Sequence, residues 1–578
     1  MRFKIKRYLF FTVFLLPLLS TAQSYYFKQY QTEDGLAHNT VVTVIQDQRG
    51  FIWAGTKEGL NRFDGYTFKS FKNRSTQFGS IGNNVIISLC EDHHGMIWVG
   101  TNHGLFQFDP YQETFTPLPI TPSFISNILV DKKNQLWFLS NSTLMQYNPR
   151  QHKVTDHRLK ASCISFDPDM HLWLGTEDGF IKRYDQDQKS CRSVLIISEV
   201  NSTTKEISKL LWTSSSQLLI GTIKQGLKLY DIHTGKIKSV LIRNKDKTEV
   251  YVRDIIAYGA HTYWIASESG IYIYDQQTDH IENIRKRAGD SYSLSDNAVY
   301  CLYPDNRGGL WAGTYFGGLN YLSPETSKFS KYYPVNSFNS ISGNAVREIC
   351  ADQRGHIWIG TEDAGISRLD IHSNQFSSYT SDGTSTSLSY PNIHGMLAVA
   401  DKLYIGPFKH GLEVMDLKTG KIIRRFSQVK AKDGPGSDFV MCIYLTSDST
   451  LLIGTTGAGL FTFNRKTDVF TRVMQIPASS SIYSILEDHE GTIWTGSLQN
   501  GVFYYNPGSG KKGNITFNKV TGSHPAKDEL IQGIFEDRSH SIWLTTEGGG
   551  LIRLHPDRKS FNRLTTAQNL PSNNLFRM

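Results

Sequence analysis

A tryptophan returns along the chain at a nearly constant interval, and this limits the fold more than any other feature. Ile52-Trp53-Ala54-Gly55-Thr56, followed by Gly59-Leu60 and Phe63-Asp64, comes back as Ile97-Trp98-Val99-Gly100-Thr101, Gly104-Leu105 and Phe108-Asp109. The same position is filled by Trp53, Trp98, Trp137, Trp173, Leu219, Trp264, Trp311, Trp358, Tyr404, Leu452, Trp494 and Trp543. Successive anchors lie 36 to 49 residues apart, and nine of the 10 tryptophans fall in this register. A period of this length marks a repeat architecture, in which each unit buries its apolar surface against the next.

Each unit reads as four short strands. Val41-Val42-Thr43-Val44-Ile45 is an apolar inner strand that ends at Asp47, and a turn follows through Gly50. Residues 51–56, 60–64 and 68–71 supply three more strands, the first two joined at Gly59. Asp stands six residues before the anchor in eight of the twelve repeats: Asp47, Asp92, Asp131, Asp167, Asp305, Asp352, Asp488 and Asp537. Asp and Gly at such positions are turn formers, so a structural role in the hairpin accounts for them. Four strands per unit of this length predict a β-propeller blade. Composition agrees, since 28 Tyr, 32 Phe and 48 Gly favour strands and turns, and 39% hydrophobic residues exclude a disordered chain.

Twelve repeats exceed the four to eight blades of one ring, so two rings follow. The fold class expected is all-β: two tandem β-propellers, the first seven-bladed and the second incomplete in this chain. Residues 1–22 read as a signal peptide, with Arg2, Lys4, Lys6 and Arg7, an apolar run from Tyr8 to Leu19, and Ser20-Thr21-Ala22 before the cut. An uncleaved anchor is the alternative, but the run falls short of the roughly 20 residues of a bilayer span. Removing this segment halves the net charge of +8, which leaves little electrostatic case for nucleic acid. The first ring is placed at residues 23–325 with repeats 1–7. Residues 26–30 resemble the outer strand 68–71 and are expected to close the last blade.

The second ring is placed at 326–578, opening near Ser327-Lys328-Phe329-Ser330-Lys331-Tyr332 and holding repeats 8–12 with part of a thirteenth. Leu570, Asn573, Leu575 and Met578 repeat the spacing of Leu36, Asn39, Val41 and Val44, so the chain is expected to be truncated within a repeat. Two six-bladed rings is the rival count.

Chemistry is harder to find. Cys90, Cys163, Cys301, Cys350 and Cys442 sit eight or ten residues before their anchors, where other repeats have small or apolar side chains, and only Cys191 lies elsewhere. His93-His94 stands in a turn without a second cluster at ligand spacing, and no metal is expected. Gly508-Ser509-Gly510-Lys511-Lys512 lacks the spacing and the terminal hydroxyl of a phosphate loop. No catalytic constellation emerges, although a carboxylate pair for glycoside cleavage stays open. No cofactor is expected.

The unit N-x-V-x-x-I-x-x-D-x-x-G-x-[IL]-W-x-G-T-x-x-G-[IL]-x-x-[FY]-[DN], followed nearly throughout by Asn39 to Asp64, resembles the two-component regulator propeller repeat. The resemblance spans about residues 24–578, and Ser293-Leu294-Ser295-Asp296-Asn297 and Ser340-Ile341-Ser342-Gly343-Asn344 share it. It implies the periplasmic sensor region of a hybrid two-component system for polysaccharide use. The family's fuller form has fourteen repeats, then a β-sandwich, one membrane helix, a histidine kinase, a receiver and a DNA-binding domain. The implied partners are a plant, host or dietary oligosaccharide and a second copy of the chain. On this resemblance the kinase is expected to lie outside this chain, nucleic acid is not expected to bind this region, and the membrane is expected to be met only through C-terminal parts.

In a propeller, the turn between the second and third strands shares a face with the loop leading into each inner strand. In the first ring that face collects Lys57, His103, Glu177, Lys224, Tyr315 and Phe316, with Asn39, Asn84 and Asn297 at the start of inner strands. Amides, charges and aromatic faces are what sugar recognition requires. These nine residues are the candidate ligand contacts, the alternative being that the asparagines fix turns and the rest are solvated. A secreted propeller glycosidase or lyase and a protein-interaction scaffold are the other readings.

Overall fold

The computed structural model describes residues 25–74, 79–186, 188–198, 204–324, 331–335, 339–430, 436–498, 500–517 and 530–576. The segment read as a signal peptide, most of the segment expected to open the second ring, and Met578 lie outside the described residues. The chain divides into two compact units, Met1–Phe329 and Ser330–Met578.

Among the described residues, twelve four-stranded antiparallel sheets carry the fold, seven in the first unit and five in the second, numbered in chain order. In the first unit the inner strands neighbour one another in sequence, and that of sheet 7 (Val299–Pro304) lies against that of sheet 1 (Val41–Gln46). The outermost strand of sheet 7 is the N-terminal Phe27–Tyr30, paired Phe27 to Leu322 and Tyr30 to Leu319. The expected clasp is therefore present. Tyr30 stacks 5.9 Å from Trp311 of sheet 7 and lies 5.0 Å from Phe63 of sheet 1. Asn306 N donates to Gln46 Oε1 at 2.8 Å across the same seam.

The apolar core lies between successive sheets. Trp53 and Leu60 of sheet 1 pack with Ile86, Ile97 and Phe108 of sheet 2, and Trp98 and Leu105 pack with Ile125 and Phe138 of sheet 3. The second strand of each sheet is covered on both faces, which is why Ile52–Thr56 is buried throughout. The glycine of the repeated Gly-Thr is fixed by this approach. A β-carbon on Gly55 would sit 2.5 Å from Thr43 Cγ2 and 2.7 Å from Ile86 Cγ2 of the next sheet. In the second unit the sheets follow in the same order from sheet 8 (346–379) to sheet 12 (531–564). Val346 and Ile349 of sheet 8 are 43% and 65% exposed, whereas Val41 and Val44, their equivalents, are 0% and 4% exposed.

Each of the eight recurring aspartates binds its own anchor. The carboxylate Oδ2 accepts the tryptophan Nε1–H at 2.6–3.2 Å in all eight repeats. The other oxygen holds the turn: Asp92 Oδ1 accepts from His94 N at 2.9 Å and Met96 N at 3.1 Å. Where the anchor is leucine, at Leu219 and Leu452, the residue six before it is Thr213 or Thr446, which have no indole to receive.

Asn39 Oδ1 accepts Thr32 N at 3.0 Å, closing a short turn around the 3-10 segment Thr32–Asp34. Asn573 Oδ1 accepts Thr566 N at 2.8 Å around Thr566–Gln568, so residues 566–573 rebuild the geometry of 32–39. The six cysteines are free thiols, and the five assigned to inner strands lie on them. No helix among the described residues is long and apolar enough to cross a membrane.

Two outcomes are expected. Asp92→Asn keeps the turn acceptor but points an amide at the Trp98 indole, and should cost about 2 kcal/mol in urea unfolding of the first unit. In the second unit, burial pushes the Asp352 carboxyl up, but bonds from Trp358 and the amides of His356 and Arg354 outweigh it and hold it at about 2. A depressed folded pKa stabilises fully above the unfolded value of 3.8 and is lost as pH falls through the folded one. Urea stability of the second unit should fall by about 2 kcal/mol more in wild type than in Asp352→Asn between about pH 4 and pH 2.

Candidate functional site

Most inner strands carry a bulge one residue after their start. Pairing skips Val42, Ile87, Ser208, Arg253 and Tyr300 in sheets 1, 2, 5, 6 and 7. A bulge turns the extra residue out of the pleat and re-aims its side chain. In sheets 6 and 7 that residue meets the turns between second and third strands, and the two features build one continuous surface.

Lys57 of sheet 1 donates from Nζ to Tyr315 Oη of sheet 7 at 2.8 Å. Tyr315 stacks on Tyr300 at 5.3 Å between ring centroids, and Phe316 meets Tyr315 edge-on at 4.5 Å. The Arg253 guanidinium lies 4.3 Å from the centre of the Tyr300 ring and 3.7 Å from that of Tyr251. Its nitrogens donate to Tyr251 Oη at 3.0 Å, Tyr300 Oη at 3.3 Å and Glu268 Oε1 at 2.7 Å. The arc thus runs lysine, tyrosine, tyrosine, arginine, tyrosine, with Phe316 beside it and 74% exposed.

Electrostatics extend the arc. Burial raises the Glu206 carboxyl, Glu177 adds to the rise, and Arg253 opposes it. Burial likewise raises the phenols of Tyr251 and Tyr300. On the inner strands, Lys209 Nζ lies 2.8 Å from Asp254 Oδ1, and Asp254 Oδ2 accepts Leu302 N at 3.0 Å, joining sheets 5, 6 and 7. Asp254 strengthens the Lys209 ammonium against its burial. Burial pushes the Cys163 thiol to about 12, which leaves it a packing group rather than a nucleophile.

The nine sequence candidates divide accordingly. Lys57, Tyr315 and Phe316 come together. Glu177 lines a pocket of about 460 Å³ with Ser142, Lys160, Asp178 and Lys182, and its charge adds to the rise of the Glu206 carboxyl. Lys224 lies 3.6 Å from Glu249, and His103 is exposed on its own turn. Asn39, Asn84 and Asn297 each accept a loop amide, from Thr32 N, Asn73 N and Lys286 N at 3.0, 2.6 and 2.8 Å. Tyr251, Arg253, Tyr300, Glu206 and Glu268 escaped the sequence reading. The signal was available: eleven residues before the anchor, Arg253 and Tyr300 stand where Val42 and Ile87 stand elsewhere.

The second unit repeats part of this layout. Arg347, also at the bulge, pairs with Glu362, fifteen residues on as Glu268 is from Arg253. Tyr390 stacks on His410 at 5.2 Å, and His394 meets Phe439 edge-on at 4.8 Å.

The sequence model of the two component regulator propeller family matches residues 35–58, 80–103, 293–316, 340–363 and 476–499. A protein named Histidine kinase P4 from Formosa agariphila is 37% identical over 71 residues, a match spanning 12% of this chain and 5% of that protein. Among solved structures, the extracellular domain of a hybrid two component system from B. thetaiotaomicron matches with TM-score 0.61 at 21% identity, covering 96% of this chain and 80% of that one. A second such domain from B. thetaiotaomicron matches with TM-score 0.46 at 18% identity, covering 94% of this chain and 79% of that one. At 21% identity the first of these speaks for the fold alone.

Replacing Arg253 by Met removes two ring contacts and the Glu268 pair. Calorimetric unfolding should show a loss of about 1–2 kcal/mol in the first unit, and Arg253→Lys should recover less than half, since an ammonium cannot bridge both rings.

Proposed function

We propose that this chain, which carries two component regulator propeller repeats, is the ligand-sensing region of a two-component signalling protein that binds an oligosaccharide. The observation that carries the ligand class is the arc from Lys57 through Tyr315 and Tyr300 to Arg253, which presents stacked aromatic faces beside charged donors and acceptors. A pyranose has an apolar face and a rim of hydroxyls, and this surface offers a counterpart to each. Export to the periplasm accords with the basic and apolar N-terminal segment and with the extracellular placement of the structurally similar domains. Signalling then requires that the saccharide favour one of two arrangements of the region, within a homodimer, and so bias a histidine kinase; equal affinity for both would transmit nothing.

A second reading has one observation behind it. A carboxyl raised by burial next to another carboxylate, as at Glu206 and Glu177, is the pattern of an acid/base pair for glycoside cleavage. One experiment separates the two. The purified protein is titrated calorimetrically with a panel of oligosaccharides, and each mixture is then analysed for chain length. Binding with the saccharide intact, weakened at least tenfold by Tyr315→Ala, is expected. Shortened products, abolished by Glu206→Gln, would replace the sensor with a hydrolase.

A further inference from the structure

On the second unit, sheets 11 and 12 bring together three side chains that linear spacing does not connect. His489 lies in the first turn of sheet 11, and Glu536 and His540 flank the equivalent turn of sheet 12. His489 Nδ1 is 2.5 Å and His540 Nδ1 3.3 Å from the same Glu536 oxygen, Oε1. The imidazole rings stack at 3.7 Å between centroids. One donor atom from each residue falls within 4.8 Å of the others. The other group of this kind among the described residues, Asp167, Asp169 and His171, belongs to a single turn whose Asp167 already holds Trp173.

Two of the three residues stand at turn positions that vary from repeat to repeat. The position three before the anchor is glycine at Gly50, Gly95, Gly308, Gly355 and Gly491, with φ between 73° and 93°. His540 holds the same conformation at φ 62°, although a β-carbon is disfavoured there. Asn134, Met170 and Ser449 hold it as well in sheets 3, 4 and 10, so the backbone there admits a side chain, and at His540 that side chain is an imidazole. His489 stands five before its anchor, where Gln48, His93 and Asn306 stand in sheets 1, 2 and 7, and it alone of these has a second imidazole stacked on it. Glu536 keeps the repeat's own task through its other oxygen: Oε2 accepts His489 N at 2.9 Å, as the Glu91 carboxylate accepts Gln48 N. Oε1 is thus directed at the two imidazoles.

We propose that His489, Glu536 and His540 form a binding site for a divalent transition cation of the zinc class, clipping sheet 11 to sheet 12. Two imidazoles and one carboxylate make a borderline-soft set that suits zinc and leaves a fourth position for water. Ligand bonds of about 2.0–2.2 Å require that the two stacked imidazoles swing apart so that their Nδ1 lone pairs converge, that His489 draw back from the carboxylate, and that both Nδ1 atoms be unprotonated. Arg558 is the competitor. Its Nη2 is 3.7 Å from Glu536 Oε1 and 3.3 Å from Asp488 Oδ2, so it keeps an anionic partner when the cation takes Glu536.

The test uses untagged full chain stripped with chelator and titrated calorimetrically with zinc chloride, with magnesium chloride as control. One zinc per chain is expected and no magnesium. His489→Gln and His540→Gly should each weaken zinc at least tenfold, and Arg558→Met should tighten it. His540→Gly restores the residue used in sister repeats, so circular dichroism should show it folded, and zinc should raise the melting temperature of wild type but not of this variant. Absence of zinc binding in wild type, or equal binding in wild type, His489→Gln and His540→Gly, would overturn the proposal.

Discussion

Every blade that has a tryptophan anchor and an aspartate six residues earlier is organised by one carboxylate. One oxygen gathers the amides of the first hairpin turn, while the other receives the indole N–H. This solves two problems together. A large aromatic ring packs between sheets without leaving its donor unsatisfied, and the turn that sets the register of the first two strands is locked. Register matters in the second strand because Trp53 and Gly55 fill spaces of fixed size against the neighbouring sheet, and a slip would bring a larger side chain to the place only Gly55 fits. The Gly-Thr that follows lets the next sheet approach to van der Waals distance, as the space around Gly55 shows.

Against that uniform frame, chemistry sits where the repeat is broken. A bulged inner-strand residue is aliphatic at Val42 and Ile87 in sheets 1 and 2, and becomes Arg253 and Tyr300 in sheets 6 and 7. The fold supplies the aim and the substitution supplies the group. Arg347 and Glu362 repeat the arrangement in the second unit, so the bulge is a general device for presenting side chains beside the turns. The same reasoning applies at the other turns, where His540 replaces glycine and His489 meets it from the neighbouring sheet.

Most of the architecture was legible in the sequence because it rests on periodic, local features. The anchor register located the strands, and the resemblance of residues 26–30 to 68–71 anticipated the strand that closes sheet 7. The aspartates were visible but only half understood: a turn role follows from spacing, whereas the bond to the indole depends on how the hairpin folds back. The asparagines show the reverse limit, for Asn39, Asn84 and Asn297 each hold a loop amide whose partner is not part of the motif. Arg253 and Glu268 meet only because a bulge turns one toward the other, and no pattern of apolar residues records a bulge. His489 and Glu536 are 47 residues apart and become neighbours only when two sheets stack.

On the proposed reading, the first unit receives its ligand on the face built from the bulges and the second-to-third-strand turns. Hydrogen–deuterium exchange with and without a saccharide that binds tests it most directly. Protection is predicted in peptides containing Tyr251 and Arg253, Tyr300, and Tyr315 with Phe316, while the turns at Asp47, Asp92 and Asp305 stay unchanged. Protection confined to those aspartate turns, or to the second unit, would contradict the account.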